Sequence, residues 1–549
     1  MEQMKKIIYI ISALALTVLT VSCIGDLDQY PHTDATSQDA YKDADSYQAV
    51  LGGIYAAFIQ RIANVSTEAR SQNWIRTMMM FQDASTDSVD AIWLAGESLT
   101  DVNGLSWTAG DGWVSAAYYH IYNIISMTNE LIRNCSEDRL EGFSEADRMR
   151  IRKYRDEARF LRAYAYMHAL DFYPEMSFIT EKDPVGSFIP ETYDRSRMFS
   201  FIESELNEIT SGLPGTAYGH ATSYAAQALL ARLYLNGEVW TGRPCYDKCI
   251  EACRNVIGGN FSLEEDYLKL FNGDNHLRTN EIIFAFACDG RYTTTWDATT
   301  FITCGSVISD FFEHEKVYGT EGANEWNCLR ARPDLVDIFQ TGDRRAAFIS
   351  YDRKSYSEYE TLQSQGWYTV PGDVNYIYKE RSKDIIGHDE STSGWKICKW
   401  TNLTDDGMPA SSCGEGGGAN TDFPVLRLAE VKLTLAEAII RSGSVTDEAV
   451  NAVNDVRKRA FGSDAGKIAA SDLTLNFLLD ERLREMYMEC VRRTDLIRFG
   501  KYTSGKLWQW KGGVMEGKDV NDRFAFLPVP EAELSVNPRM KEVNASLGY

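Results

Sequence analysis

Three tryptophans of this chain stand in polar, loop-like surroundings: Trp93 in Asp90-Ala91-Ile92-Trp93-Leu94-Ala95-Gly96, Trp296 in Thr294-Thr295-Trp296-Asp297, and Trp326 in Asn324-Glu325-Trp326-Asn327. An exposed aromatic face stacks against the C–H faces of a sugar ring, while neighbouring Asp, Asn, Arg and Thr side chains bond its hydroxyls. For one tryptophan, partial burial against the fold is the commoner outcome. Three in polar loops, in a chain that is 12% aromatic, make a stacking site a reading to test.

Other chemistry has little to stand on. The seven histidines are scattered, with no two at metal-ligand spacing. There is no Gly-x-Ser-x-Gly elbow, no His-Glu-x-x-His and no Gly-x-Gly-x-x-Gly fingerprint. The 79 acidic residues offer many carboxylate pairs, but a glycosidase is recognised by a distance that a sequence does not contain. The tract Cys413-Gly414-Glu415-Gly416-Gly417-Gly418 reads as a loop, and without a following Lys-Ser or Lys-Thr it is no phosphate cradle. Eleven cysteines, ten with Cys23 set aside, are too sparse for a disulfide-built scaffold. Cys245, Cys249 and Cys253 share one helix face and read as small core thiols. A net charge of −23 opposes nucleic-acid binding, which needs a basic face, and disfavours charge-driven docking on anionic lipid.

The elements that must position these residues begin after an export signal. Lys5 and Lys6 precede a 14-residue apolar run from Ile7 to Thr20, followed by Val21, Ser22 and Cys23. The run is too short for a comfortable bilayer span, and Cys23 after a small residue has the form of a lipoprotein box, its cysteine the lipidated first residue. Residues 1–22 are therefore expected to be a signal peptide and 23–549 the mature chain. Ser144, with Asp147 three residues on, opens a helix whose apolar side carries Tyr154, Ala158, Leu161, Ala165 and His168 and which stops at Pro174. Arg152, Glu157, Arg159 and Arg162 fall on its other faces. Thr222 opens a second helix, closed by Asn236-Gly237, and another runs from about Tyr246 to Ile257 before Gly258-Gly259. Segments 427–441, 446–460 and 474–498 are helical by the same criteria. Helix pairs of this size predict a mainly α, tetratricopeptide-like scaffold over about 40–260 and 425–500. Between about 265 and 425 lies a loop-rich region with short strand-like runs, Ile282–Ala287 and Phe301–Cys304, where binding is expected.

Longer motifs run along almost all of the mature chain. They are Cys23-Ile-Gly-Asp-Leu-Asp, Glu157-Ala-Arg-Phe-Leu-Arg-Ala-Tyr-Ala-Tyr, Ala228-Leu-Leu-Ala-Arg-Leu-Tyr-Leu-Asn and Glu281-Ile-Ile-Phe-Ala. Further on come Leu426-Arg-Leu-Ala-Glu-Val-Lys-Leu-Thr-Leu-Ala-Glu-Ala, Val456-Arg-Lys-Arg-Ala, Asp480-Glu-Arg-Leu-Arg-Glu, Arg493-Thr-Asp-Leu-Ile-Arg-Phe-Gly and Phe526-Leu-Pro-Val-Pro, with Asn537-Pro538 beyond. In these the chain resembles the SusD/RagB family of Bacteroidetes surface glycan-binding lipoproteins. It is similar to the starch-binding member, notably in Lys399-Trp-Thr-Asn and Trp508-Gln-Trp-Lys-Gly-Gly.

The resemblance implies a single SusD-like domain over 23–549, anchored at the outer-membrane surface through lipid on Cys23. Such a protein caps a TonB-dependent, SusC-like transporter, captures oligosaccharides and does no chemistry on them, without a cofactor. Trp93, Trp296 and Trp326 fall on the stacking positions of the starch-binding relative, and Arg76 and Glu68 on its polar sugar-contacting positions. Gly96 replaces an Asn that bonds glucose hydroxyls, which leaves fructan or another neutral glycan open beside α-glucan. Of that relative's calcium ligands, Asp422 and Asn420 have counterparts here, but no third stands clearly near Asp274, and no metal is expected. The rival readings are an exported glycoside hydrolase and a scaffold lipoprotein of the same fold that has lost its ligand.

Overall fold

The computed structural model describes residues 40–62, 73–92, 99–307, 313–320, 326–370, 376–387, 393–413 and 417–549. Helix α1 (Ala44–Ala56) starts where Asp43, in extended backbone, accepts the Ser46 N–H at 2.8 Å. That side chain satisfies one of the donors every helix start leaves without a partner. Asn73 caps α2 (Trp74–Met79) in the same way, and α2 runs straight into a π-helical turn, Met80–Ala84. After strand β1 (Val89–Ala91) come α3 (Gly112–Asn134), α4 (Glu145–Phe172), α5 (Arg195–Ile209), α6 (Ser223–Leu235) and α7 (Tyr246–Ile257). Ser144 caps α4, its Oγ accepting the Asp147 N–H at 3.2 Å, and Thr222 caps α6 through the Ala225 N–H at 3.0 Å. Both caps lie where the sequence places them.

Neighbouring helices pack in sequence order: α3 on α4, α4 on α5, α6 on α7. Each pair buries its apolar face on the next, as in tetratricopeptide stacks. About 49% of the described residues are helical and 9% are strand, which makes the fold mainly α with a tetratricopeptide-like scaffold. Among the described residues no helix is long and apolar enough to cross a membrane.

Strand β2 (Ile282–Phe286) leaves the scaffold, and α8 (Ala298–Gly305) and β3 (Leu329–Ala331) follow. β3 pairs antiparallel with β1, Val89 opposite Ala331. β4 (Phe423–Arg427) returns antiparallel to β2, with Phe423 opposite Phe286, and every residue of both strands is buried. The scaffold then resumes with α9 (Leu428–Arg441), α10 (Asp447–Phe461), α11 (Leu475–Met486) and α12 (Arg492–Arg498); α9 packs on α7 and α10 on α9. One hydrophobic cluster runs from Ala44 to Val543 through all of these elements.

Two expectations are corrected. Phe301–Cys304, read as strand-like, lies in α8: the Phe301 N–H bonds the Asp297 carbonyl at 3.2 Å, and the helix is buried on all sides against α2. Four apolar residues carry no period that separates a buried strand from a buried helix. The segment 474–498, read as one helix, is two. Between α11 and α12, Met488 and Cys490 take positive φ, and their N–H groups bond the Asp83 carboxylate at 3.0 and 2.9 Å. A side chain about four hundred positions earlier thus breaks the helix, which no local pattern encodes.

The charged faces also differ from a simple amphipathic reading. Arg162 is only 2% exposed and bonds Asn129, Glu181 and Glu205, while buried Glu157 accepts bonds from Tyr55 and His220. The Asp480-Glu-Arg-Leu-Arg-Glu motif turns inward. Glu485 meets Arg345, Arg427 and Arg459, and Glu481 meets Arg345, Arg457 and Arg484, all with buried side chains. Such charges are tolerated in a core only when each is matched. The Lys399-Trp-Thr-Asn motif is structural too: buried Lys399 bonds Glu489 at 2.6 Å beside buried Trp400. Of the three cysteines read as core thiols, Cys249 and Cys253 are buried, while Cys245 precedes α7 and is partly exposed.

Candidate functional site

Beyond β2 the chain makes a polar loop held by its own side chains. Asp289 accepts the Arg291 and Tyr292 N–H groups at 2.8 and 3.1 Å, and the Thr293 hydroxyl accepts the Asp289 N–H at 2.7 Å. The loop is tied to the returning chain before β4: Asn420 accepts the Gly290 N–H at 3.2 Å, and the Gly290 carbonyl accepts the Gly418 N–H at 3.1 Å. These bonds present Tyr292, 82% exposed, and Trp296, 49% exposed, to solvent.

Trp326 comes from a different segment and meets Trp296. The ring centroids lie 5.8 Å apart with planes tilted by 31°. Trp326 is half-buried and well supported: its N–H bonds the Cys304 carbonyl at 3.2 Å, and its ring packs beside Phe301 and over Cys304, Cys413 and Ala419. Two large aromatic rings from separate loops, one resting on a buried helix, form a rigid apolar surface of the kind that stacks on sugar rings.

Below it is a charged layer. Asp297, next to Trp296 and fully buried, pairs with Arg61 at 2.6 Å and with Arg76 at 3.1 Å. The Arg76 guanidinium lies over the Phe301 ring, 4.2 Å from its centroid, and 5.3 Å from that of Trp113. At 4% exposure Arg76 stands under the platform, where it positions Asp297 and α8. The sequence match assigns it a sugar-contacting role; its guanidinium faces Asp297 and two aromatic rings beneath the tryptophan pair. The solvent-facing cation is Arg61, 41% exposed, which the sequence reading did not single out. No motif surrounds Arg61, and only the tertiary pairing with Asp297 brings it to Trp296. Tyr292 was equally missed, although its setting of Arg291 and three threonines is as polar as those of the three tryptophans. Trp93, Glu68, Gly96 and Cys23 lie outside the described residues.

The calcium counterparts are already engaged. Asp422 accepts the Tyr218 hydroxyl at 2.6 Å and the Cys288 N–H at 2.7 Å, and burial raises its carboxyl to about 6. Asp274 accepts the Asp405 N–H at 2.8 Å. Among the described residues no three His, Cys, Asp or Glu side chains gather to hold a metal. A separate small cavity of about 30 Å³, lined by Asp171, Arg232, Glu430, Asp495 and Arg498, has its charges spent on internal pairs, Arg232 to Glu430 and Arg498 to Asp495.

Two family models match the chain: that of the SusD family over residues 280–549, and one described as "Starch-binding associating with outer membrane" over residues 39–235. The chain belongs to the SusD/RagB family. The starch-binding protein SusD of Bacteroides thetaiotaomicron is 29% identical over 98% of both chains. Among solved structures, a surface glycan-binding protein A from Bacteroides fluxus superposes with a TM-score of 0.65 at 18% identity, covering 92% of this chain and 97% of its own. A relative solved with a xylogluco-oligosaccharide gives 0.64 at 20% identity, covering 90% and 98%. These structures share the overall fold of the chain.

Proposed function

We propose that this chain is a non-catalytic, lipid-anchored protein of the outer-membrane surface that captures neutral oligosaccharides of the α-glucan or fructan class and hands them to a TonB-dependent, SusC-like transporter. The observation that carries the reading is the Trp296–Trp326 pair, two supported aromatic faces held at 31° to each other. A tilted pair suits a ligand that curves from one sugar ring to the next. Trp93 and Glu68 belong to the same site by sequence match, Arg61 supplies the hydroxyl-bonding cation, and Arg76 braces the platform from below. The starch, glycan and xyloglucan ligands named for the relatives support an oligosaccharide ligand. On this reading residues 1–22 are the export signal, Cys23 carries the lipid, and 23–549 form one SusD-like domain.

Burying an aromatic face contributes about 1.5–3 kcal/mol before the ordering cost of the ligand. Two or three platforms then leave a net of roughly 4–6 kcal/mol, a Kd from millimolar to tens of micromolar. Weak binding suits a protein that must release its cargo. A hydrolase would need two accessible carboxylates beside the platform. Asp297, the carboxylate next to Trp296, is instead fully buried between two guanidiniums, which supports capture without cleavage.

The test is calorimetric titration of residues 24–549 with α-glucan and fructan oligosaccharides, each mixture then assayed for cleavage. Saturable heat with one class and no products is the expected result. Products overturn the non-enzyme reading, and silence across the panel from folded protein overturns the α-glucan or fructan one. In cells, Cys23→Ala is expected to move the chain out of the membrane fraction. An unchanged fraction excludes the lipid anchor.

A further inference from the structure

Beneath Trp326 the structure brings two thiols together. Cys304, in the last turn of α8, and Cys413, on the chain returning toward Asn420, lie with their Sγ atoms 3.7 Å apart across 109 positions of sequence. Both are fully buried, in a small cluster with Ala419 on which Trp326 rests. The pair sits where several segments of the platform meet. The Cys328 N–H bonds the Gly305 carbonyl at 2.8 Å, and the Thr300 hydroxyl accepts the Ala419 N–H at 2.8 Å. A disulfide requires about 2.05 Å between sulfurs, which leaves under ~2 Å to close.

We propose that Cys304 and Cys413 are a disulfide-forming pair, joined when the chain folds in an oxidising compartment, and that the bond locks residues 411–413 to α8 under the tryptophan platform. The oxidising compartment rests on the export proposed above; the pairing itself rests on the geometry. The oxidant is a disulfide-carrying thiol oxidoreductase. One cysteine, as thiolate, attacks the carrier disulfide, forming a mixed disulfide and displacing one carrier thiolate. The second cysteine, deprotonated to solvent, attacks the mixed disulfide at the first cysteine's sulfur. The Sγ–Sγ bond forms, the bond to the carrier breaks, and the carrier leaves as a dithiol with the two electrons this chain has lost. Since both thiols are buried in the folded protein, the exchange belongs to folding, and burial afterwards shields the bond. Cys328, buried next to α8, is the competing thiol.

The experiment is to export the chain to a bacterial periplasm, purify it without reductant, unfold it in excess iodoacetamide and map the peptides by mass spectrometry. A Cys304–Cys413 cross-link with Cys328 alkylated is the expected result; Cys304 joined to Cys328 overturns the proposal. In parallel, chain made reduced in a cytosol is unfolded and refolded with oxidised glutathione. The same cross-link there, with none in the exported chain, supports the pair and counts against the compartment. Alkylation of both cysteines in both preparations overturns the pair. For the lock, Cys413→Ser is expected to lower the Tm by several degrees relative to the oxidised chain and to match the reduced wild type. A Tm equal to that of the oxidised chain overturns the locking role.

Discussion

Trp296 leaves about half of its surface to solvent while Trp326 is anchored to α8, so the two rings are expected to fail differently. Trp296→Ala removes one stacking face and little packing: affinity for the matched glycan falls about ten- to a hundredfold by calorimetry, with unchanged thermal unfolding. The two arginines on Asp297 separate binding from support. Arg61→Ala removes a partly exposed guanidinium from buried Asp297, which keeps Arg76, so stability falls less than in the Arg76 variant while binding weakens several-fold. Arg76→Met leaves buried Asp297 short of a partner and costs at least ~2 kcal/mol in urea unfolding. Equal loss of stability in both variants would show that Arg61 is structural. The tryptophans were legible because large aromatic residues in polar loops conflict with local expectation. Arg61 was not, because an arginine at a helix exit is ordinary until its partner is known.

The break between α11 and α12 rests on Asp83, whose carboxylate accepts two backbone N–H groups from residues at positive φ. Asp83→Ala strands those donors in the core and is expected to destabilise the protein by about 2–4 kcal/mol. Burial raises the Asp83 carboxyl to about 7, against the pull of the Cys490 and Met488 N–H groups. A folded pKa above the unfolded one means the native state holds the proton more tightly, so this residue's contribution falls as pH rises from about 4 to 7. Asp83→Asn is expected to remove that slope from urea-derived stability; a slope that persists assigns it to another group. Helix starts at Ser144 and Thr222 were readable because a cap is a contact three residues long. The interruption after Met486 and the helical state of Phe301–Cys304 were not, since both are decided by residues distant in sequence.

Across the whole molecule, buried ion pairs join the two ends of the chain: Arg492 bonds Asp87 at 2.7 Å and Arg493 bonds Asp171 at 2.7 Å. Glu485→Gln leaves three buried guanidiniums around a neutral group and is expected to cost about 3–5 kcal/mol in urea unfolding. Burial opposes ionisation of Glu481 and Asp495, but the guanidiniums around them outweigh it and hold both carboxyls at about 2. Folded pKa values below the unfolded ones mean that this stabilisation is fully present above pH ~4.5 and is lost as pH falls toward 2. Tm is therefore expected to drop steeply below pH ~4.5, and a flat profile there would show that these pairs do not hold the fold. By itself the sequence determined the helical class, the caps, most helix boundaries and the aromatic candidates, because each is written in residue type and spacing within a few turns. Only the tertiary structure decided which charges are core, where α11 ends, and that Trp296, Trp326, Arg61 and Asp297 lie together. The physical reason is the same in each case: burial, ion pairing and ring contact join residues tens to hundreds of positions apart, and a local pattern carries no record of them.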